Sequence, residues 1–227
     1  MRLIFLICFS LMGFVLIACG KQPTIQGSSI AYQKMTFSWN GPELAEEKAT
    51  FLNYQMEVSF TDPDGENIVV PGYFAADGNA GESGAEKGRV WRAHLLPLKP
   101  GKWSYTVSFL EGENMAIAPG NAEGRSLAFD GEQGTFTVSP ADPSQGGFLG
   151  KGKLQYIGEH FLQFTNGEYF FKMGANAPEV LLQYKEFDGT DSDRAYNQHI
   201  ADWEEGDLLW QEDKGKGIIG VINYLKK

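Results

Sequence analysis

The chain has 227 residues, 42% of them hydrophobic and 13% aromatic, enough to bury a sizeable core in one or two domains. Lys and Arg number 19 against 29 Asp and Glu, and a net charge of -10 repels phosphate backbones, which excludes nucleic acid as an expected partner. Both cysteines, Cys8 and Cys19, fall at the N-terminus, so no disulfide is available to the folded part, and no later apolar run reaches the ~20 residues of a spanning helix.

Residues 1–19 combine one early positive charge at Arg2, an apolar run from Leu3 and the ending Leu16-Ile17-Ala18-Cys19. A basic start, an apolar segment and small residues before a cleavage point make a secretory signal. The ending resembles the lipobox of bacterial lipoproteins. That resemblance implies lipidation of Cys19, anchorage to a lipid bilayer in the cell envelope and, because no Asp follows the cysteine, an outer-membrane destination. Residues 20–30 are polar, with Gly, Pro and Ser, and suit a flexible tether.

From 31 to 141 the pattern is all-β. Tyr54, Met56, Val58 and Phe60 alternate with Gln55, Glu57 and Ser59; Trp103, Tyr105, Val107 and Phe109 do the same with Ser104, Thr106 and Ser108. Period two with one apolar face predicts half-buried antiparallel strands. Further strands are expected at Lys34–Trp39, Asn67–Phe74, Arg89–Leu96, Arg125–Phe129 and Gly134–Ser139, with turns at Asp62-Pro63-Asp64-Gly65, Pro71-Gly72, Pro100-Gly101 and Asp130-Gly131. That number of strands over roughly 100 residues suits an immunoglobulin-like sandwich. Two long Gly- and Ala-rich loops, Ala75–Gly88 and Glu111–Gly124, read as mobile surface.

Pro140–Gly147 is a linker by composition, and a second domain is expected from 142 to 227. Strands are predicted at Lys153–Ile157, Phe161–Phe164 and Glu168–Lys172, with Thr165-Asn166-Gly167 as a hairpin turn. The run Tyr169–Pro178 is apolar on both faces and leads into a loop and then helical sequence, as the buried first strand of a β/α repeat would. Helices are expected at Asp193–Asp202 and Gly217–Lys227, the latter with Ile218, Ile219, Val221, Ile222 and Leu225 on one broad side.

Chemistry-bearing patterns are few. His94, His160 and His199 are isolated, which argues against zinc, and nothing calls for a cofactor. Asp62–Gly65 reads as a turn; Asp188–Asp193 spaces oxygen ligands as a calcium loop does but lacks the terminal bidentate Glu. Trp91 and Trp103 read as sandwich core, Trp203 and Trp210 as packing for a first helix or as cleft lining. Glu204, Glu205 and Asp207 read as a solvated face.

Val90-Trp91-Arg92-Ala93 and Lys99-Pro100-Gly101-Lys102-Trp103-Ser104-Tyr105, followed by Phe170–Glu179 and Gly215–Leu225, resemble the N-terminal half of a family of bacterial glycoside hydrolases. Its members carry an immunoglobulin-like DUF5060 domain ahead of a TIM barrel. The resemblance implies a mainly β chain: a sandwich, then the first β/α elements of an incomplete TIM barrel. It places Glu179 at the rim where barrel active sites form, able to bind a sugar hydroxyl together with Asn176, although a carboxylate there equally caps a loop or the next helix. A complete barrel takes ~250 residues, and the family's acid/base and partner carboxylates belong to later strands. The chain is therefore expected to be an N-terminal fragment of a membrane-anchored glycoside hydrolase of polysaccharide degradation, without catalytic residues of its own. The alternative is a surface lipoprotein that binds a polysaccharide or oligosaccharide or serves as a spacer.

Overall fold

The computed structural model describes residues 22–119, 123–173 and 178–227. Along the first part run β1 (Thr24–Gln26), β2 (Met35–Ala45), α1 (Lys48–Asn53), β3 (Tyr54–Thr61), β4 (Asn67–Pro71), β5 (Tyr73–Phe74), α2 (Ala80–Ser83), β6 (Lys87–Leu95), β7 (Gly101–Glu111), β8 (Arg125–Ser126) and β9 (Gln133–Val138). Their alternation is what sorts them into two antiparallel sheets. One sheet has the order β1-β2-β6-β5; in the other, β4-β3-β7, both β8 and β9 also pair with β7.

Register aligns the apolar faces. Met35, Phe37 and Trp39 of β2 stand opposite Leu95, Ala93 and Trp91 of β6. In the second sheet Met56, Val58 and Phe60 of β3 stand opposite Phe109, Val107 and Tyr105 of β7. All twelve side chains are buried in one cluster. Phe37 meets Phe60 of the other sheet at 5.0 Å between ring centroids, and Phe109 stacks on Phe129 at 4.4 Å. The chain is thus mainly β, with its antiparallel sheets closing on a common core as a β-sandwich does.

The Asp62–Gly65 turn is held by its own carboxylates. Asp62 Oδ1 accepts from the backbone N–H groups of Asp64 and Glu66 at 2.8 and 2.9 Å, and Lys99 Nζ lies 2.6 Å from both Asp62 Oδ2 and Asp64 Oδ2. The ammonium group sits where a cation would have to sit between those two side chains.

Several expectations are corrected. Asn67–Phe74 is not one strand: β4 pairs with β3, β5 pairs with β6, and the chain crosses between the sheets at Gly72. Pro71-Gly72 therefore breaks the strand instead of closing it. The two long loops are partly packed; Ala76 and Met115 are buried, and Asp77 accepts from Asn79 N–H and Ser83 Oγ. Third, the strands expected after the linker form as an antiparallel meander, β10 (Leu154–Tyr156), β11 (Leu162–Phe164) and β12 (Tyr169–Phe170), but the last of them is not a buried strand. The Thr165–Gly167 turn forms, with Gly167 N–H donating to Phe164 O. The strand beyond it and the residues that follow lie on the surface: Tyr169, Phe171 and Met173 are 46%, 57% and 90% exposed. Phe170 packs against Phe148 and Phe164, and Phe171 against Phe161, within the meander.

The remaining elements are α3 (Pro178–Leu182), a 3-10 segment at Asn197–Asp202 and α4 (Lys216–Lys226). The 3-10 segment replaces most of the helix expected at Asp193–Asp202. Helix α4 packs on that segment, not on a sheet, through Gly220, where a Cβ would overlap the carbonyl oxygen of His199, while Gly217 lies against the Ala195 carbonyl just before it. Ile218 is buried while Leu225 is 69% exposed. Tyr184 centres a small cluster with Phe187, Tyr196 and Trp210, its hydroxyl donating to Glu186 Oε2 at 2.5 Å. Burial, with Glu186 beside it, pushes the Tyr184 phenol up to about 12. No helix among the described residues is long and apolar enough to cross a membrane.

Candidate functional site

The strand crossing at Gly72 opens a cleft at the sandwich edge. β4 covers β3 only from Glu57 to Thr61, so the edge of β3 over Tyr54–Met56 is left without a β4 partner. The chain must leave that edge to reach the other sheet. Gly72 N–H donates to Met56 O at 2.8 Å, and a Cβ on residue 72 would overlap Met56 Sδ and lie 2.6 Å from its Cγ. The result is a cleft of ≈ 340 Å³ with residues of both sheets in its walls.

Its floor is rigid and apolar: Met56, Phe74 and Trp91 are buried. Its rim is aromatic and polar. Phe51 on α1 is 54% exposed and Tyr73 on β5 is 43% exposed, with Gln55 and Glu57 alongside. The Tyr73 side chain turns to the outer face of its sheet, since Tyr73 stands opposite Arg92 where Phe74 stands opposite the buried Trp91. The Tyr73 hydroxyl lies 3.1 Å from His94 Nε2, and His94 Nδ1 lies 2.9 Å from Thr36 Oγ1. Either tautomer satisfies this chain. Burial first, then Lys34 and Arg92, hold the His94 pKa below the usual imidazole value, so the ring is neutral near pH 7.

At the inner end Tyr54 donates to Glu111 Oε1 at 2.8 Å, and Glu111 is also paired with Arg125. Hydrogen bonds from Tyr54 and Arg125 hold the Glu111 carboxyl below the usual range. Burial, then Glu111, raises the Tyr54 phenol. Among the described residues no acceptor meets the buried Trp91 indole N–H. The arrangement offers an apolar, aromatic cleft, and among its lining residues no nucleophile-base pair is set up.

Of the residues singled out in sequence, Trp91 forms part of the cleft floor. Cys19 and Asn176 lie outside the described residues. Glu179 is the second residue of α3. Trp91 and Trp103 are core, the latter donating its N–H to Lys99 O. Trp210 stacks on Phe187 and donates to Glu186 O, and the Lys216 ammonium lies 5.1 Å from the Trp203 ring. Asp207 accepts from Glu204 N–H and Asn223 Nδ2, while Glu204 and Glu205 are exposed. Asp188 and Asp191 line a shallow hollow with Lys185 and Lys214. Among the described residues no three His, Cys, Asp or Glu side chains converge as a metal site requires.

Sequence reasoning missed Phe51 and Tyr73. Phe51 rides on a helix with no periodic signal, and the one hint for Tyr73 was an aromatic directly after Pro71-Gly72.

Residues 30–110 match the model of a domain of unknown function, DUF5060. That span holds every cleft-lining residue except Ala116. A search of the curated proteins finds no match. Among solved structures, the chain is similar to the crystal structure of a putative glycoside hydrolase from Bacteroides vulgatus ATCC 8482, with 18% identity and a TM-score of 0.43 over 70% of this chain. It spans 26% of the length of that protein. The chain carries a DUF5060 domain over residues 30–110, within its β-sandwich.

Proposed function

We propose that the chain serves as the N-terminal, glycan-holding part of a membrane-anchored glycoside hydrolase that acts in polysaccharide degradation. The observation that carries this reading is the cleft: an aromatic buried floor, Phe74 and Trp91, opens to solvent at the sheet crossing, with the half-exposed Phe51 and Tyr73 among its lining residues. Sugar rings present a C–H face to aromatic surfaces and hydroxyls to polar groups, and a preformed cleft with few polar groups is how small-ligand sites are built. In this proposal the immunoglobulin-like sandwich grips substrate and Cys19 carries the lipid anchor to the outer membrane. Residues 142–227 open a TIM-barrel domain in which Asn176 and Glu179 touch substrate. Support for the last point is the apolar surface left at Phe161, Phe171, Met173, Leu182 and Leu225, which in a barrel would meet neighbouring strands and helices.

Hydrolysis itself needs two carboxylates set about 5–5.5 Å apart for retention or 6.5–9.5 Å for inversion. No such pair is assigned to this chain, so we expect binding without turnover. Affinity electrophoresis against a panel of soluble polysaccharides, with a reducing-end assay on the same panel, tests this. Retardation by at least one glycan without new reducing ends is the expected result. No retardation by any of them leaves the chain a spacer, and release of reducing ends contradicts the assignment of catalysis elsewhere.

A further inference from the structure

Resting on the lipidation of Cys19 proposed above, we infer that the β1/β9 edge of the sandwich lies against the bilayer surface and that the cleft at the Gly72 crossing opens away from it. Chain length sets the first half. Residues 20–30 read as a tether in sequence, yet β1 begins at Thr24, and its Thr24, Ile25 and Gln26 pair with Ser38, Phe37 and Thr36 of β2. The chain is fastened again just beyond: Ser139 N–H donates to Ser29 O at 2.8 Å, and Ala31 N–H donates to Ser139 O at 2.9 Å. Only residues 20–23 are left between Cys19 and the first strand. Even fully extended, the stretch from Cys19 to Thr24 reaches no more than ~18 Å. An acylated cysteine on so short a lead holds this edge beside the lipid headgroups, whereas a free tether over all of 20–30 would let the sandwich turn.

Topology sets the second half. In the order β1-β2-β6-β5, β1 and β5 are the outer strands of one sheet; in the other, β4 borders β3 while β9 borders the far side of β7. Ring contacts align the two sheets: Phe37 of β2 meets Phe136 of β9 at 5.1 Å, and Trp91 of β6 meets Tyr54 of β3 at 5.8 Å. β1 therefore shares an edge with β9, and β5 shares the opposite edge with β4, where Met56, Pro71 and Phe74 line the cleft. Three strand spacings of ~4.8 Å, roughly 14 Å, lie between β1 and β5. Charge favours the same orientation. All 29 acidic residues lie from Glu43 onward, while residues 20–42, which build β1 and most of β2, carry Lys21 and Lys34 and no carboxylate. β9 has no ionisable side chain, and Glu132 just before it is turned inward, accepting from Trp39 Nε1 at 3.1 Å. Asp77, which shares a hollow with Thr24 and Gln26, is accompanied there by Arg92. A chain of net charge -10 is repelled by lipid phosphates, and this edge is the part that can approach them.

The test expresses the full chain in a bacterial host and reconstitutes it in phosphatidylethanolamine and phosphatidylglycerol vesicles that contain a headgroup-spin-labelled lipid, a short-range quencher of fluorescence. Cleavage ahead of Cys19 removes Cys8 and acylation occupies Cys19, so one introduced cysteine carries the fluorophore. Thr24→Cys and Gln26→Cys report from exposed positions of β1, Ile68→Cys and Val69→Cys from exposed positions of β4, with two sites per edge in case one variant folds poorly. Strong quenching on β1 and little or none on β4 is expected. Inserting about ten Gly and Ser residues after Lys21 adds roughly 17 Å of reach and should abolish most of the β1 signal. Equal quenching at both edges, stronger quenching on β4, or a β1 signal unmoved by the insertion overturns the orientation while leaving the anchor in place. Cys19 found without acyl chains by mass spectrometry removes the reading on which the orientation rests, and the orientation with it.

Discussion

Replacing Gly72 with alanine should destabilise the sandwich through one side chain, Met56. Gly72 is absent from the positive-φ glycines, so its backbone conformation is open to any residue and the cost is steric alone. The added Cβ would overlap Met56 Sδ and come within 2.6 Å of Cγ and 3.0 Å of Cβ. Met56 cannot swing outward freely, because it is 2% exposed on the inner face of β3, opposite Phe109. Overpacking of this kind costs about 1–3 kcal/mol, which for a chain of this size lowers Tm by roughly 2–4 °C per kcal/mol. Met56→Ala alone should cost about 2–5 kcal/mol through the cavity it leaves. In that background Sδ and Cγ are gone, and Gly72→Ala loses most of its penalty. Urea unfolding of the four proteins in the cycle should give a favourable coupling of about 0.5–3 kcal/mol. Costs that add to within about 0.3–0.5 kcal/mol would refute the close approach, and with it the account of how the chain crosses between sheets.

Lys99→Met tests the turn. The Lys99 hydrogen bond first, then the Glu66 and Asp64 N–H groups, hold the Asp62 carboxyl below its ordinary value. Stability from that contact is complete above the ordinary carboxylate pKa of ~3.9 and is lost as pH falls through the depressed folded-state value. The gap in urea midpoint between wild type and Lys99→Met should therefore be full at pH 6 and close as pH falls below that ordinary value; a gap constant from pH 6 to pH 2 contradicts this. Limited proteolysis of the full chain should cut first within 140–173 and leave a resistant sandwich over about residues 31–141, whereas equal resistance of residues 142–227 would contradict the contrast drawn between a shared core and a small aromatic cluster. Cys19→Ala should move the protein from the membrane to the soluble fraction of a bacterial host, and unchanged membrane recovery would count against lipidation.

Residues with one apolar face were easy to read. Val58 and Val107 sit in clean alternations, and they pair as that pattern requires. The turn at Asp62–Gly65 was equally legible, because carboxylate-to-N–H bonding is local and the spacing states it. What failed was non-local. Tyr169–Met173 carries the same continuous apolar run whether it is buried in a parallel sheet or lies on the surface of a meander, and the difference is set by which strand lies beside it. The crossing at Gly72 was visible as Pro-Gly but not as a change of sheet, since sheet membership depends on partners in β3 and β6. The cleft was hidden for the same reason. Phe51 and Tyr73 become neighbours of one cavity only when α1 and β5 are placed against the same uncovered edge of β3.

Because Met56 belongs to one sheet and Phe74 and Trp91 to the other, anything seated in the cleft acts as a strut between the two halves of the sandwich. A ligand that binds only when both sheets are in place draws its affinity from the same assembly that it reinforces. At 100 times its dissociation constant such a ligand adds about 2.7 kcal/mol to the unfolding free energy. Thermal melting thus becomes an identification method in its own right: glycans of any linkage can be ranked by the upward shift they cause, with neither turnover nor a label required.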